Sequence, residues 1–253
     1  MSTSTLSLTA ATPSTSERIL RVVKLQLVDK KQLILVPVLI TAAGIVISVI
    51  VGELIKLAGA PAGAVTEGMR NNQAALWILC GYFISLGALM YSRSLPFAVA
   101  LGSTRREYWL GTTLTLLVAS VGLAVASTLL LGLEKLTNGW FTGTRMYDTY
   151  IMGDGNYGYA FLMGFVISAL SLLAGNFFAA IYLRWKSAGV TYSIILIVLA
   201  LLGVIAADIG LQINVFGWLA ENIYLHASYV SVVLMVLLSA GTWLVVRNAP
   251  IGR

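Results

Sequence analysis

The chain has 253 residues, of which 58% are hydrophobic and only 10% are charged, and its mean hydropathy is +0.90. Soluble domains carry about 25% charged residues, so water could not wet a surface this poor in charge. The same composition excludes a disordered, a collagen-like and a disulfide-stapled protein. A transmembrane helix needs about 20 apolar residues, and six of them would occupy about half of this chain. The composition therefore predicts an integral membrane protein.

Six apolar runs are long enough to cross a bilayer, and we expect all six to be helices. They cover residues 33–51, 74–91, 110–133, 157–182, 190–208 and 229–246. The Ser- and Thr-rich residues 1–16 are typical of a disordered tail. Residues 32–253 are expected to form one all-α membrane domain, because loops 52–73 and 134–156 are too short for a domain of their own.

The basic residues are distributed unevenly between alternate segments. Twelve of the 16 basic residues, but only three of the ten acidic residues, fall in one set of segments. That set comprises residues 1–32, 92–109, 183–189 and 247–253. By the positive-inside rule this set faces the cytoplasm, and so both termini are expected there. The net charge of +6 then indicates orientation and contact with anionic lipids rather than binding of nucleic acid.

Motifs for covalent chemistry are missing from the sequence. There is no Gly-Lys pair for a phosphate-binding loop and no Gly-x-Ser-x-Gly motif of a serine hydrolase. The one histidine, His226, and the one cysteine, Cys80, exclude a paired-histidine zinc site and an intrachain disulfide. The apolar runs are nearly free of ionisable residues, which argues against a carrier driven by protons or sodium. We expect no enzymatic activity and no cofactor bound by this chain.

Small and polar side chains recur along the fourth apolar run. They are Gly164, Ser168, Ser171 and Gly175, at spacings of four, three and four, followed by the amide Asn176. A stripe of small residues lets another helix approach closely, and Asn176 is expected to hydrogen-bond across helices. Two interpretations stay open, namely packing within the bundle and lining of a subunit interface or translocation path.

The segment ahead of the first apolar run, residues 17–31, is amphipathic. On a helix, Ile19 and Val23 fall on one side, whereas Arg18 and Arg21 point to the other. This pattern predicts a helix that lies in the cytoplasmic interface and turns into the first span. A plain positively charged anchor is the alternative.

The connection between the second and third runs, residues 92–109, predicts a short helix of its own. Ser94 followed by Pro96 is typical of a helix start, because proline suits the first turn. Gly102 can then end that helix in a left-handed conformation.

The same connection continues with a helix start for the third span. Thr104 and Glu107 match a capping box, in which each side chain satisfies a backbone amide of the other residue. Arg105 and Arg106 lie between them. An exposed apolar helix followed by positive charge is what a docking surface for a cytosolic partner would look like.

This connection resembles that of permease subunits in the type-2 family of ABC exporters, especially the small bacterial permeases encoded apart from their ATPase. The stretch from Leu95 to Gly111 is similar to the family pattern Phe-Ala-x-x-Leu-Gly-x-[Thr/Ser]-Arg-[Arg/Lys]-x-aromatic. The layout of an interfacial helix, six spans and internal termini is similar over nearly the whole chain.

The resemblance implies a function, a location and partners. The chain would be a permease in a bacterial cytoplasmic membrane that exports an amphipathic or hydrophobic substrate, such as a peptide antibiotic, a lipid or a drug-like molecule. Separate ATPase subunits would bind ATP and magnesium. The permease would pair with a second copy or a paralogue.

The resemblance also implies site residues. A coupling helix of about residues 95–102 would dock in a groove of the ATPase. The residues implied for this coupling are Leu95, Pro96, Phe97, Leu101, Gly102, Arg105, Arg106 and Glu107. Residues 211–227 are a candidate for the short re-entrant helices that precede the sixth span in this family.

Two other functions stay open at this point. One is the membrane subunit of a vitamin-type importer, which binds substrate and also needs partner ATPases. The other is a membrane immunity or sensor component that transports nothing and needs no ATPase.

Overall fold

The computed structural model describes residues 14–29 and 31–247. This part of the chain is almost entirely helical and contains no β-strand. Its α-helices are α1 (Thr15–Leu27), α2 (Val36–Leu57), α3 (Ala62–Asn71), α4 (Ala74–Ala100), α5 (Arg105–Leu136), α6 (Tyr157–Leu211), α7 (Val215–Glu221) and α8 (Ile223–Val246). Most of the expected tail lies outside the described residues, but residues 14–16 belong to the start of α1.

Five helices in the described residues are long and apolar enough to cross a membrane, which identifies a membrane protein. They comprise α2, α4, α5, α6 and α8. The expected fourth and fifth spans are joined in one element, α6, which has 55 residues. Lys186 interrupts α6 with a φ of 57° and a ψ of −153°, a conformation that costs energy for a residue with a Cβ. The element therefore consists of two helical segments, 157–185 and 187–211.

Contacts at both ends of α8 show how these two segments run. The ring of Tyr224 at the start of α8 stacks on Tyr159 at the start of α6, with 4.4 Å between the ring centroids. At the other end, Arg184 Nη1 lies 3.5 Å from the carbonyl oxygen of Val245. The first segment of α6 and α8 therefore run in the same direction. The segment 187–211, which connects them in the chain, must therefore run in the opposite direction, from the end of the bundle near Arg184 to the end near Tyr224.

The bundle has two different ends. At the first, which we call the basic end, α1, the turn between α4 and α5 and the last turn of α8 meet. Arg105, at the start of α5, joins this turn to α8, because its Nη1 donates to the carbonyl oxygens of Val246 at 3.0 Å and Arg247 at 2.8 Å. At the second, which we call the capped end, α3 and residues 137–156 cover the helix termini.

The closest contact inside the bundle lies between α4 and α6. A Cβ on Gly87 would lie 2.1 Å from the carbonyl oxygen of Leu172, and a Cβ on Gly175 would lie 1.9 Å from that of Ile84. Both positions thus require glycine, as is typical of helices that pack closely within a membrane. A core of buried side chains, including Leu116 and Leu172, surrounds this crossing.

A buried carboxylate organises the capped end. Glu134, near the end of α5, is fully buried. Its oxygens accept hydrogen bonds from the backbone amides of Met146, Tyr147 and Asp148 and from the indole Nε1 of Trp140, at 2.8–3.0 Å. Four donors offset the cost of burying a charge, which amounts to several kcal/mol for an unpaired ion. The loop after α5 is therefore folded around one side chain.

Arg70 attaches α3 to that loop. Its Nη2 lies 3.2 Å from Asp148 Oδ1 and also contacts the carboxylate of Asp154. Its guanidinium lies 4.8 Å from the centre of the Tyr150 ring. The loops that the sequence left without structure thus form an ordered cap.

The prediction of a separate helix beginning at Ser94 is wrong. α4 continues from Ala74 to Ala100 and has Pro96 inside it. The hydroxyl of Ser94 donates to the carbonyl oxygen of Met90, and Tyr108 Oη lies 3.2 Å from the same oxygen. The bond from Tyr108 ties the turn before the proline to α5, and α4 continues through Pro96.

The predicted end of that helix and the start of the next one are confirmed. Gly102 has a φ of +84° and ends α4. The amides of Ser103 and Gly102 bond back to the carbonyl oxygens of Ala98 and Val99, which is the Schellman pattern. At the start of α5, the capping box between Thr104 and Glu107 is complete.

The remaining predicted boundaries differ by a few residues. α1 begins at Thr15 rather than residue 17, because Ser14 and Glu17 form a capping box that the sequence analysis missed. α8 begins at Ile223, six residues before the expected sixth span. Residues 211–227 contain the short α7, and His226 stacks on Trp218 with 4.1 Å between the ring centroids.

The glycine contact between α4 and α6 makes a prediction about stability. Gly175→Ala puts a methyl group against the Ile84 carbonyl and forces the helices apart, at a cost of about 1–3 kcal/mol. The matched control is Gly203→Ala, where a Cβ meets no atom within 4 Å. We expect a lower thermal midpoint in detergent for the first variant and an unchanged or higher midpoint for the second. Equal midpoints would mean that this crossing does not stabilise the fold.

Candidate functional site

The last turn of α4 projects from the basic end as an exposed apolar surface. Phe97 and Leu101, one turn apart, expose 53% and 67% of their surface, whereas Leu95 and Ala98 on the opposite side are buried. The exposed residues of this turn are Pro96, Phe97, Ala100, Leu101 and Gly102, and we call them the apolar tip. The exposed basic residues Arg93 and Arg106 flank it.

A buried polar cluster lies beneath the apolar tip. The hydroxyl groups of Tyr108 and Ser94 are 2.7 Å apart and join α5 to α4. Gln26 of α1 donates from Nε2 to Thr112 Oγ1 at 2.7 Å and lies 3.3 Å from Ser94 Oγ. Each such bond contributes about 0.5–1.5 kcal/mol net. Three helices are therefore fixed to one another directly behind the apolar tip.

α1 is held against α5 by shape and by charge. Val22 is almost fully buried against Gly111, where a Cβ would lie 2.7 Å from Cβ of Val22. Arg18 Nη1 lies 3.6 Å from Glu107 Oε1, so the capping residue of α5 also pairs with α1. The face of α1 that packs on the protein is centred on Val22 and Gln26.

The structure divides the predicted coupling residues into two groups. The exposed group forms or flanks the apolar tip and comprises Pro96, Phe97, Leu101, Gly102 and Arg106. Leu95, Arg105 and Glu107 instead hold the frame behind it: Leu95 is buried, Arg105 bonds to the end of α8, and Glu107 caps α5. The eight residues lie at the end of α4, in the connection that follows and in the first turn of α5, and the sequence did not separate the two groups.

The small residues of α6 pack against two neighbouring helices. A Cβ on Gly164 would lie 2.4 Å from Ser127 Oγ of α5, and Ser168 Oγ lies 3.5 Å from the carbonyl oxygen of Ser120. Further along, Ser171 lies beside the Cys80 thiol of α4, and Gly175 meets α4 as described above.

Asn176, beside this stripe, is buried, and its Oδ1 has no hydrogen-bond partner in the described residues. The predicted interhelical hydrogen bond through this oxygen is therefore not present among them.

A large cavity lies between α2, α4, α5 and α6. Its volume is about 560 Å³, and its walls include Pro37, Thr41, Cys80, Leu123, Gly164 and Ile167. None of the described residues that line it is charged. No pattern in the sequence predicts this cavity, although Gly164 and Ser168, two residues of the small-residue stripe, lie on its wall.

The end of the cavity nearest the cap is closed by Tyr147. Its hydroxyl lies beside Thr41, and the side chain is 7% exposed. Burial raises the pKa of Tyr147 to about 12, so the phenol is neutral at physiological pH. The cavity therefore gains no charge from this residue.

Comparison of the chain with protein-family models, with curated proteins and with solved structures finds no match. Among the described residues, no three His, Cys, Asp or Glu side chains converge on a possible metal site. The apolar tip and the cavity are the two features on which a functional proposal can be based.

The packing of α1 on α5 makes a second prediction. Gly111→Leu places a side chain where Val22 lies and should displace α1 from the bundle. Trypsin should then cleave after Arg18 and Arg21 about tenfold faster than in the unaltered protein, because local opening exposes these bonds. Gly122→Leu is the control, since a Cβ there meets no atom within 4 Å. Equal cleavage rates in both variants would contradict this account of α1.

Proposed function

We propose that the chain is the six-span permease subunit of an ATP-driven exporter and that the apolar tip docks a separate ATPase subunit. The observation that carries the proposal is the apolar tip itself, exposed at Phe97 and Leu101 and fixed from behind to α1, α5 and α8. The resemblance in residues 95–111 to type-2 ABC permeases supports the same function.

Six crossings follow if both segments of α6 traverse the membrane. The segment 187–211 has 25 residues, which as a helix extend about 37 Å, enough for the hydrocarbon core of about 30 Å. Its path from the basic end to the capped end supports a crossing of its own. Six crossings place both termini on one side.

The distribution of charge supports a cytoplasmic location for the basic end. This end carries Arg93, Arg105, Arg106 and Arg184, whereas Glu67, Asp148 and Asp154 lie in the cap. Basic residues remain preferentially on the cytoplasmic side of bacterial inner membranes. The apolar tip then faces the compartment that contains ATP.

The chemistry of the apolar tip favours a protein partner. Two large apolar side chains that project beyond a helix end, flanked by two arginines, fit an apolar groove with an acidic rim. Such a groove on the ATPase would bury Phe97 and Leu101. Arg93 and Arg106 would steer the approach and set its salt dependence.

The frame behind the apolar tip supplies a mechanism of coupling. A force on the tip acts on α4 and α5 through Tyr108 and Ser94, on α1 through Gln26, and on α8 through Arg105. These helices would move as a unit when ATP closes the ATPase subunits. Two permease copies, or this chain and a paralogue, would then switch access between cytoplasm and exterior. The permease performs no covalent step.

The scarcity of charge within the bundle favours an apolar or amphipathic cargo. Within the described residues, the cavity lining contains no charged group that could pair with a bare ion. A peptide antibiotic, a lipid or a drug-like molecule fits this environment better than a bare ion.

The topology can be tested with single cysteines in a Cys80→Ser background. Ser103→Cys and Ser187→Cys, at the basic end, should react with a membrane-impermeant maleimide only after the cells are opened. Gln212→Cys and Thr137→Cys, at the capped end, should react in intact cells. Labelling of Ser187→Cys in intact cells would rule out a crossing between residues 187 and 211.

Docking of the ATPase can be tested by replacing the two large apolar side chains of the apolar tip with acidic ones. The double variant Phe97→Glu and Leu101→Glu should reduce recovery of the ATPase with the tagged permease, in mild detergent, by at least about tenfold, because two acids would have to be buried in an apolar groove. The matched control is Leu57→Glu with Leu136→Glu, which changes two exposed leucines at the capped end. The control should retain the ATPase.

Two results would contradict the proposed docking. One is a permease that yields no Walker-motif ATPase under conditions that preserve the complex. The other is equal loss of the ATPase in both double variants. The first result would favour a membrane component that transports nothing.

A further inference from the structure

The cavity described above is open toward the side of the bundle. Val38 of α2 and Val118 of α5 both line it, yet 57% and 50% of their surfaces are exposed. Gly122, also on its wall, is exposed as well. The gap between α2 and α5 is therefore a lateral opening at the depth of the bilayer hydrocarbon.

Two hydroxyl groups on the cavity wall already donate hydrogen bonds within the protein. Ser127 Oγ donates to the carbonyl oxygen of Ala124 at 2.9 Å, and Ser168 Oγ donates to that of Gly164 at 2.7 Å. With these two donors occupied and no charge among the described residues on its wall, the cavity favours an apolar occupant.

The cavity is long in the direction of the helices. On α5 it is lined from Val118 to Leu130, a distance of about 18 Å at 1.5 Å per residue. One leaflet of the hydrocarbon core is about 15 Å thick. The volume of about 560 Å³ also falls within the range of small-molecule sites, about 300–1,000 Å³.

We infer that this cavity binds one acyl chain of a membrane phospholipid, which enters from the bilayer between α2 and α5. Its lateral opening admits molecules dissolved in hydrocarbon, and its length matches one extended chain. Burial against apolar walls supplies the binding free energy, while the headgroup stays at the membrane surface. The inference is independent of the proposed function, because it requires neither an ATPase nor transport.

Gly122 offers a way to fill the cavity without disturbing the bundle. A Cβ at this position meets no atom within 4 Å, so the ring of Gly122→Phe can enter the cavity. Gly81→Phe is the control, since Gly81 is also in a helix with open space around it but does not line the cavity. Both variants add the same side chain to the apolar surface.

Native mass spectrometry after purification in detergent measures the retained phospholipid. We expect one phospholipid per chain in the unaltered protein and in Gly81→Phe. Gly122→Phe should retain at least about tenfold less, a change of about 1.4 kcal/mol or more. No retained lipid in the unaltered protein, or equal retention in both variants, would overturn the inference.

Photo-labelling of the unaltered protein shows whether an acyl chain enters the cavity, even if Gly122→Phe does not fold. Vesicles of phosphatidylcholine with a diazirine on the acyl chain should label Cys80 and Ile167, which line the cavity wall. Any annular lipid will label Leu39 and Ile47, which are exposed on α2 and do not line the cavity. Labelling confined to the exposed positions would show that no acyl chain enters.

Discussion

The close contact of α4 with α6 is the constraint on which the rest of the molecule depends. Gly87 and Gly175 bring two backbones to a distance at which neither helix tolerates a Cβ. α4 then contributes to both of the features that carry the proposals. Its middle turns form a wall of the cavity, and its last turn forms the apolar tip. Because the crossing fixes α4 along its length, contact at Phe97 can act on the whole bundle. Packing of this kind stabilises a bundle in lipid, where the hydrophobic effect does not drive helices together.

The two ends of the bundle are held by polar groups and its middle by apolar contacts. At the capped end, Glu134 gathers the loop after α5, and at the basic end Gln26 and Tyr108 join α1, α4 and α5. α2 packs little on the other helices, because only Pro37 and Gly52 of its described residues are buried. A helix that packs so little on its neighbours leaves a gap beside it. The cavity and its lateral opening are the direct consequence of that gap.

The sequence was informative where the physical cause is local. Apolar runs predicted the long helices, and the short-range capping pattern at Thr104 predicted the start of α5.

The sequence did not predict features whose physical cause lies far along the chain. Pro96 suggested a helix start, but α4 continues through it and packs against Tyr108 of α5 just before the proline. Glu134 looked like one acid among several, because its partners are amides in a loop that exists only in the folded chain. The cavity lies where α2 does not pack closely on α4, α5 and α6. The spacing of apolar residues along the sequence does not reveal such a gap. Arg105 is one of the basic residues whose distribution predicted the orientation. It also has a structural role, because its guanidinium bonds to the end of α8.

The central claim is that the apolar tip contacts an ATPase, and site-specific photo-cross-linking tests it most directly. A benzophenone amino acid replaces Leu101 in the protein expressed with its neighbouring genes, and the same residue replaces Leu136 at the capped end as the control. Illumination of intact cells should join position 101, but not position 136, to a protein that mass spectrometry identifies as a Walker-motif ATPase. If position 101 forms no ATPase adduct while that ATPase is present in the cell, or if position 136 forms the same adduct, then the apolar tip is not the docking site.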